Sequence, residues 1–137
     1  MGVRVKIRIR YANSLVDVIG LVNTGYETDI SEVLIPLDVA ERLGLWPRLP
    51  ENTIVETYRT ASGLMRVYRI PGARVSLVVE GMEKGDVESY IVVSEYVDEV
   101  LISDQLTSNL NIVVEDPAKG LWRLRGEPIV RTSERRV

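Results

Sequence analysis

An apolar run, Gly20-Leu21-Val22, leads the chain directly into Asn23-Thr24-Gly25: an amide, a hydroxyl and a glycine in succession. Asn23 can donate and accept hydrogen bonds, Thr24 offers a hydroxyl able to bond across a tight junction, and Gly25 permits close backbone approach or positive φ. Three residues alone are also what an ordinary turn after a core strand looks like. Tyr26, Glu27, Asp29 and Glu32 follow in an acidic stretch that reads as a solvated loop rather than a source of a substitute catalytic carboxylate. Glu27 is the nearest acid downstream of Asn23.

Other chemistry is narrowed by composition. The 137 residues contain no His and no Cys, so Ser-His-Asp and Cys-His catalysis, Cys/His zinc sites and disulfides are excluded. Gly81 to Asp86 lacks the Gly-Lys-Ser/Thr ending of a phosphate loop, and the acidic residues lack metal-site spacing, so neither metal nor cofactor is expected. With 17 Lys and Arg against 20 Asp and Glu, the net charge of −3 argues against nucleic acid or an anionic membrane as a partner. Residues 1–10 alternate apolar and basic side chains, the pattern of neither a secretory signal nor a membrane span. A cytoplasmic protein is expected, and the lack of Cys fits a reducing compartment.

The elements that position these residues are mostly extended. Val3, Val5, Ile7 and Ile9 alternate with Arg4, Lys6, Arg8 and Arg10, the signature of a half-buried strand whose basic face is solvated or guards against edge pairing. A turn at Asn13-Ser14 leads into Leu15 to Asn23, apolar on both faces except at Asp17, which is placed to pair with the basic strand. Pro36 to Gly44 reads as a short helix with Gly44 as its left-handed cap. Strands Ile54 to Ala61 and Leu64 to Ile70 flank Ser62-Gly63, a hairpin whose Ala61-Ser62-Gly63 tip is small. A second hairpin pairs Ala73 to Glu80 with Val87 to Ser94 across the Gly81 to Asp86 loop. Val100-Leu101-Ile102 is a buried strand, and Ser103 to Leu110 a helix capped by Ser103 or Asp104. Strands at Ile112 to Val114 and Leu121 to Leu124 complete the pattern, with Trp46 and Trp122 in the core or at a subunit contact. The tail from Gly126 lacks periodicity and is expected to fray. Many short strands with two short helices indicate a mostly β fold, a small closed or sandwiched sheet.

The order of these pieces resembles the retropepsin-like aspartic proteases. In that family an apolar pair precedes Asp-Thr-Gly or Asp-Ser-Gly; a Pro and a short helix ending in Leu-Gly-Leu follow, then a Gly-tipped flap hairpin, an apolar strand and a C-terminal helix. Here the corresponding residues are Leu21-Val22-Asn23-Thr24-Gly25, Ile35-Pro36 through Leu43-Gly44-Leu45, Thr60-Ala61-Ser62-Gly63, and Val100-Leu101-Ile102 before Asp104 to Leu110. The resemblance spans residues 3–125. It implies one retropepsin-like domain over 1–125, a tail over 126–137, and a small closed β-barrel that works as a homodimer, since one chain carries a single triad. The site would lie on the two-fold axis, with Asn23 facing its counterpart, Thr24 linking the paired loops and Gly25 letting them approach. An extended peptide or protein substrate would lie under the flaps, touched by Glu27 and by Ala61, Ser62 and Gly63.

Two positions depart from the family pattern. Asn23 stands at the place of the catalytic Asp, and Ser103 where the family usually has Gly after the second apolar strand. The shared mechanism needs two carboxylates holding one proton around a water, a dyad that serves as a standard example of coupled titration. An amide cannot take the proton, so the chain as written is expected to be inactive as an endopeptidase. The rival from another class is a non-catalytic peptide-binding or dimerisation module of the same fold. A third reading, an unrelated β-barrel that binds nucleic acid through Arg4, Lys6 and Arg8, would show steep loss of affinity with salt.

Overall fold

The computed structural model describes residues 2–136. Strand β1 (Arg4–Tyr11) pairs antiparallel with β2 (Ser14–Val22), from Arg4 opposite Leu21 to Tyr11 opposite Ser14. The connecting turn is therefore Ala12-Asn13, one residue earlier than expected. Ala12 takes φ of 50°, because a two-residue hairpin loop that follows the strand twist needs a left-handed residue.

Strand β3 (Glu32–Ile35) enters helix α1 (Leu37–Arg42), which ends at Gly44 with φ of 75°, the cap its sequence pointed to. Strand β4 (Ile54–Thr60) turns into β5 (Gly63–Val79), followed by β6 (Met82–Val93), β7 (Val100–Ile102) and helix α2 (Asp104–Asn109). The sheet order is β1-β2-β7-β3-β6-β5-β4, and an additional β1–β5 pairing, with Ile7 opposite Leu77 and Ile9 opposite Val75, closes six of these strands into a barrel. Closure removes the open edges of β1 and β5 that two separate sheets would carry. Strand β4 stays outside the ring, joined among the described residues to β5 alone, so the β4–β5 hairpin projects from the barrel.

Two expected hairpins prove to share one long strand. Pro71-Gly72 does not end β5 but bulges it: the pairing with β6 shifts between Ile70 and Ala73, and Gly72 adopts φ of 93°. The turn into β6 is the tight pair Glu80-Gly81, both at positive φ, rather than a loop over 81–86.

The barrel interior is filled by Val5, Ile7, Ile9, Val75, Leu77, Ile91, Val93 and Ile102, all fully buried. Each such side chain contributes roughly 1.5–3 kcal/mol of transfer free energy. Strand β2 alternates instead of being buried on both faces: Val16, Val18 and Val22 are inside, while Leu15 is 50% exposed. At Gly20 a Cβ would lie 2.9 Å from Ile102, so the glycine lets β2 and β7 approach.

A second sheet of β8 (Ile112–Asp116), β9 (Leu121–Leu124) and β10 (Arg131–Thr132) lies beside the barrel. The tail read as fraying thus carries a strand, and it continues along the body. The Glu134 amide donates to the Arg4 carbonyl (2.8 Å), the Arg4 amide to Ser133 Oγ (2.7 Å), and Arg136 pairs with Glu99. The cause is tertiary: the free edge of β9 and the start of β1 supply partners that a local pattern cannot reveal.

Three of the four cations on the basic face of β1 are paired within the chain. Arg4 pairs with Glu99, Arg8 with Asp17 (2.7 Å), the pairing with the basic strand expected of Asp17, and Arg8 and Arg10 both with Glu83. Hydrogen bonds from Arg10 and Ser76, with the nearby Arg8 charge, hold the Glu83 carboxyl down to about 2 from an ordinary 4.5. A depressed carboxyl stabilises the fold fully above its unfolded value, and the contribution disappears as pH falls through the folded one. Glu83→Gln is therefore expected to flatten the pH dependence of chemical unfolding between about 4.5 and 2 and to leave it unchanged above pH 6; an unaltered profile at the acid end would refute this coupling.

Candidate functional site

The Asn23 loop is held from both sides by the barrel. Its entry is fixed where the Asn23 amide donates to the Ile102 carbonyl (3.2 Å), a bond from the end of β2 to the end of β7. A turn then closes with the Tyr26 amide donating to the Asn23 carbonyl (3.0 Å) and the Gly25 amide to Asn23 Oδ1 (3.1 Å). The side chain of Asn23 thus folds over its own loop, a common role for Asn. Gly25 is not at positive φ, and a Cβ there would sit 3.4 Å from Asn23 Oδ1, so nothing within the single chain demands glycine. Asn23 is half-buried; Thr24, Gly25 and Glu27 are exposed.

Helix α2 braces the far side of this loop. Asp104 donates its amide to the Tyr26 carbonyl (2.9 Å), and its Oδ1 accepts from the Thr28 amide (2.9 Å). Ser103, where the resembled family has Gly, is fully buried and serves as the helix cap: its Oγ accepts from the Leu106 amide (3.2 Å) and from the Glu32 amide (3.1 Å). The serine therefore ties α2 to β3, a role no backbone glycine could fill.

Glu32 departs most from expectation. Read as part of a solvated acidic loop, it begins β3 with its side chain only 4% exposed. Its Oε1 accepts from the hydroxyls of Tyr26 and Tyr58, both at 2.8 Å, and its Oε2 from Arg69 Nη2 (2.9 Å) and Nε (3.1 Å). Arg69 also reaches Glu56 Oε1 (3.2 Å) and lies 4.3 Å over the Tyr90 ring. Burial, reinforced by the Glu32 charge, pushes both tyrosine hydroxyls well above their ordinary value, so they remain neutral donors across the physiological range. A buried carboxylate needs such compensation, and here a cation and two hydroxyls provide it.

The tip residues Ala61, Ser62 and Gly63 are exposed, and their hydrogen bonds stay within the hairpin: Thr60 Oγ1 donates to the Gly63 carbonyl (3.0 Å), and the Ser62 amide donates to Thr60 Oγ1 (3.2 Å). The hairpin meets the Asn23 loop lower down. Met65 and Val67 pack with Leu34 and Val92 in an apolar cluster separate from the barrel core, with Tyr26, Tyr58, Val97 and Leu101 around it. Leu34 lies opposite both Leu101 and Val92 in the sheet, while their neighbours Val33, Ile35, Ile91, Val93 and Ile102 face the barrel. The cluster therefore lies on the outer face of β3, β6 and β7, under the projecting hairpin. Tyr58, Arg69 and Glu32 went unrecognised as site residues because their partners are 26 to 37 residues apart in sequence. The one local signal was an acid in a segment that turns apolar directly after it.

No family model matches the chain, and no curated protein matches it. Among the described residues no helix is long and apolar enough to cross a membrane.

Proposed function

We propose that this chain is a retropepsin-like aspartic endopeptidase scaffold that works as a homodimer, binds an extended peptide in a cleft at the two-fold axis, and is inactive as written because Asn23 occupies the place of the catalytic Asp. The observation that carries this reading is the junction at Asn23: a barrel strand ends in Asn-Thr-Gly, bonded to the end of a neighbouring parallel strand, with a projecting hairpin packed on the adjacent apolar face. That arrangement would supply three things a peptide cleft uses, namely a fixed polar group, an apolar surface for substrate side chains and a covering hairpin, while the pair of carboxylates that hydrolysis needs is what it lacks. The exposed Thr24 and Gly25 suit a contact with a second loop: Gly25 bonds only within its own turn, to Asn23 Oδ1, and presents no side chain to block an approach.

The amide at position 23 also favours a second reading, a non-catalytic peptide-binding or dimerisation module that keeps the cleft without the chemistry. Both readings require the dimer. Sedimentation at micromolar concentration is expected to give a species of twice the 15.4 kDa chain mass, and a purely monomeric chain would remove the basis for both.

A further inference from the structure

The Glu32 cluster joins three separate segments: the Asn23 loop through Tyr26, β4 through Tyr58, and β5 through Arg69. These attachments are not equivalent. Arg69 lies where β5 already pairs with β6, opposite Val92, and Tyr26 belongs to the loop braced by Asp104. Tyr58 is on β4, whose strand partner among the described residues is β5 alone, so it belongs to the projecting hairpin. Lifting the hairpin would break the Tyr58 bond to Glu32, together with the Ser94 Oγ contact to Met65 Sδ (3.2 Å) and the packing of Met65 and Val67, while leaving Glu32 its Arg69 cation and the Tyr26 hydroxyl. The buried carboxylate never loses its counter-charge, so the large cost of an unpaired charge is avoided in both positions.

From this asymmetry we infer that Tyr58 is a positioning residue, a releasable latch that holds the β4–β5 hairpin down over the Asn23 loop through Glu32. The inference rests on the reading of that hairpin as the cover of a peptide cleft. The latch sets how often the cleft opens, and Arg69 is the fixed anchor about which it does so. A hydroxyl bond to a charged acceptor suits the role, being strong enough to bias the closed position and weak enough to break on the timescale of loop motion.

The chain has no cysteine, so one introduced thiol is a unique reporter. Val67→Cys places it in the cluster beneath the hairpin, and Val75→Cys places it in the barrel core further along the same strand; both positions are fully buried. Labelling of each by a thiol reagent is compared with and without Tyr58→Phe, which removes the hydroxyl and keeps the ring. At position 67 the rate is expected to rise about tenfold, and at position 75 to stay unchanged. An unchanged or lower rate at 67 overturns the latch. Equal acceleration at both positions overturns it as well, because the hydroxyl would then support the whole fold rather than the hairpin. The labelling needs no catalysis, so an Asn23→Asp chain that cuts nothing refutes the protease reading without touching this result, and the reverse holds too.

Discussion

Asn23→Asp is expected to convert an inert chain into one that cleaves unfolded protein at acid pH, with cleavage at least about 10²-fold above the unaltered chain, the lower end of what positioned acid–base groups contribute. In the proposed homodimer the substitution would bring two carboxylates to one two-fold axis, where both cannot ionise cheaply, so one would keep its proton into the mildly acidic range and supply the acid for the leaving group. The loop should accept the change, since the Gly25 amide that donates to Asn23 Oδ1 can donate equally to a carboxylate oxygen. A transition-state mimic carrying a hydroxyl between the subunits should block the activity. Both forms are to be checked for folding by circular dichroism and incubated with substrate from acid to neutral pH. Cleavage by the unaltered chain, shown to be undeamidated by mass spectrometry, would direct attention to another carboxylate such as the exposed Glu27. A folded, dimeric and inert Asp form would favour the binding module.

The largest effect on stability is expected at Arg69. Arg69→Met removes the only cation among the described residues that is bonded to a carboxylate 4% exposed, and breaking a buried pair from one side costs about 3–5 kcal/mol. Glu56, 40% exposed, can return to water and adds little. Adding Glu32→Gln to Arg69→Met is expected to recover most of the loss, because the amide oxygen still accepts from Tyr26 and Tyr58 and no buried charge is left unpaired. Urea unfolding at one fixed protein concentration measures both variants, with the slope unchanged if the native surface is preserved. A loss below about 1 kcal/mol in Arg69→Met, or a double variant no better than the single, would mean that water already reaches Glu32.

The expected mutational effects follow the division between local and distant causes. What the sequence determined by itself is what arises within a few residues: the two-residue period of Val3 to Arg10, the Gly44 cap, a helix cap at Ser103 or Asp104, of which the structure uses Ser103, and the hairpin near Ser62-Gly63, which turns one residue earlier, at Ala61-Ser62. Each depends on backbone geometry that neighbouring side chains favour or forbid. The mostly β class and the two short helices followed from the same signals. Only the tertiary structure decided that β5 continues through Pro71-Gly72, since a bulge there is tolerated once β6 pairs on both sides of it. Ring closure between β1 and β5 likewise depends on residues about seventy positions apart, and the docking of the tail on β9 and β1 depends on an edge left free by other strands. Glu32 is the clearest case: the apolar run directly after it is the single local hint, and it does not by itself separate a solvated acid from a buried one. What settles it is whether a cation and two hydroxyls from distant segments converge on its oxygens, and that convergence exists only once the chain has folded.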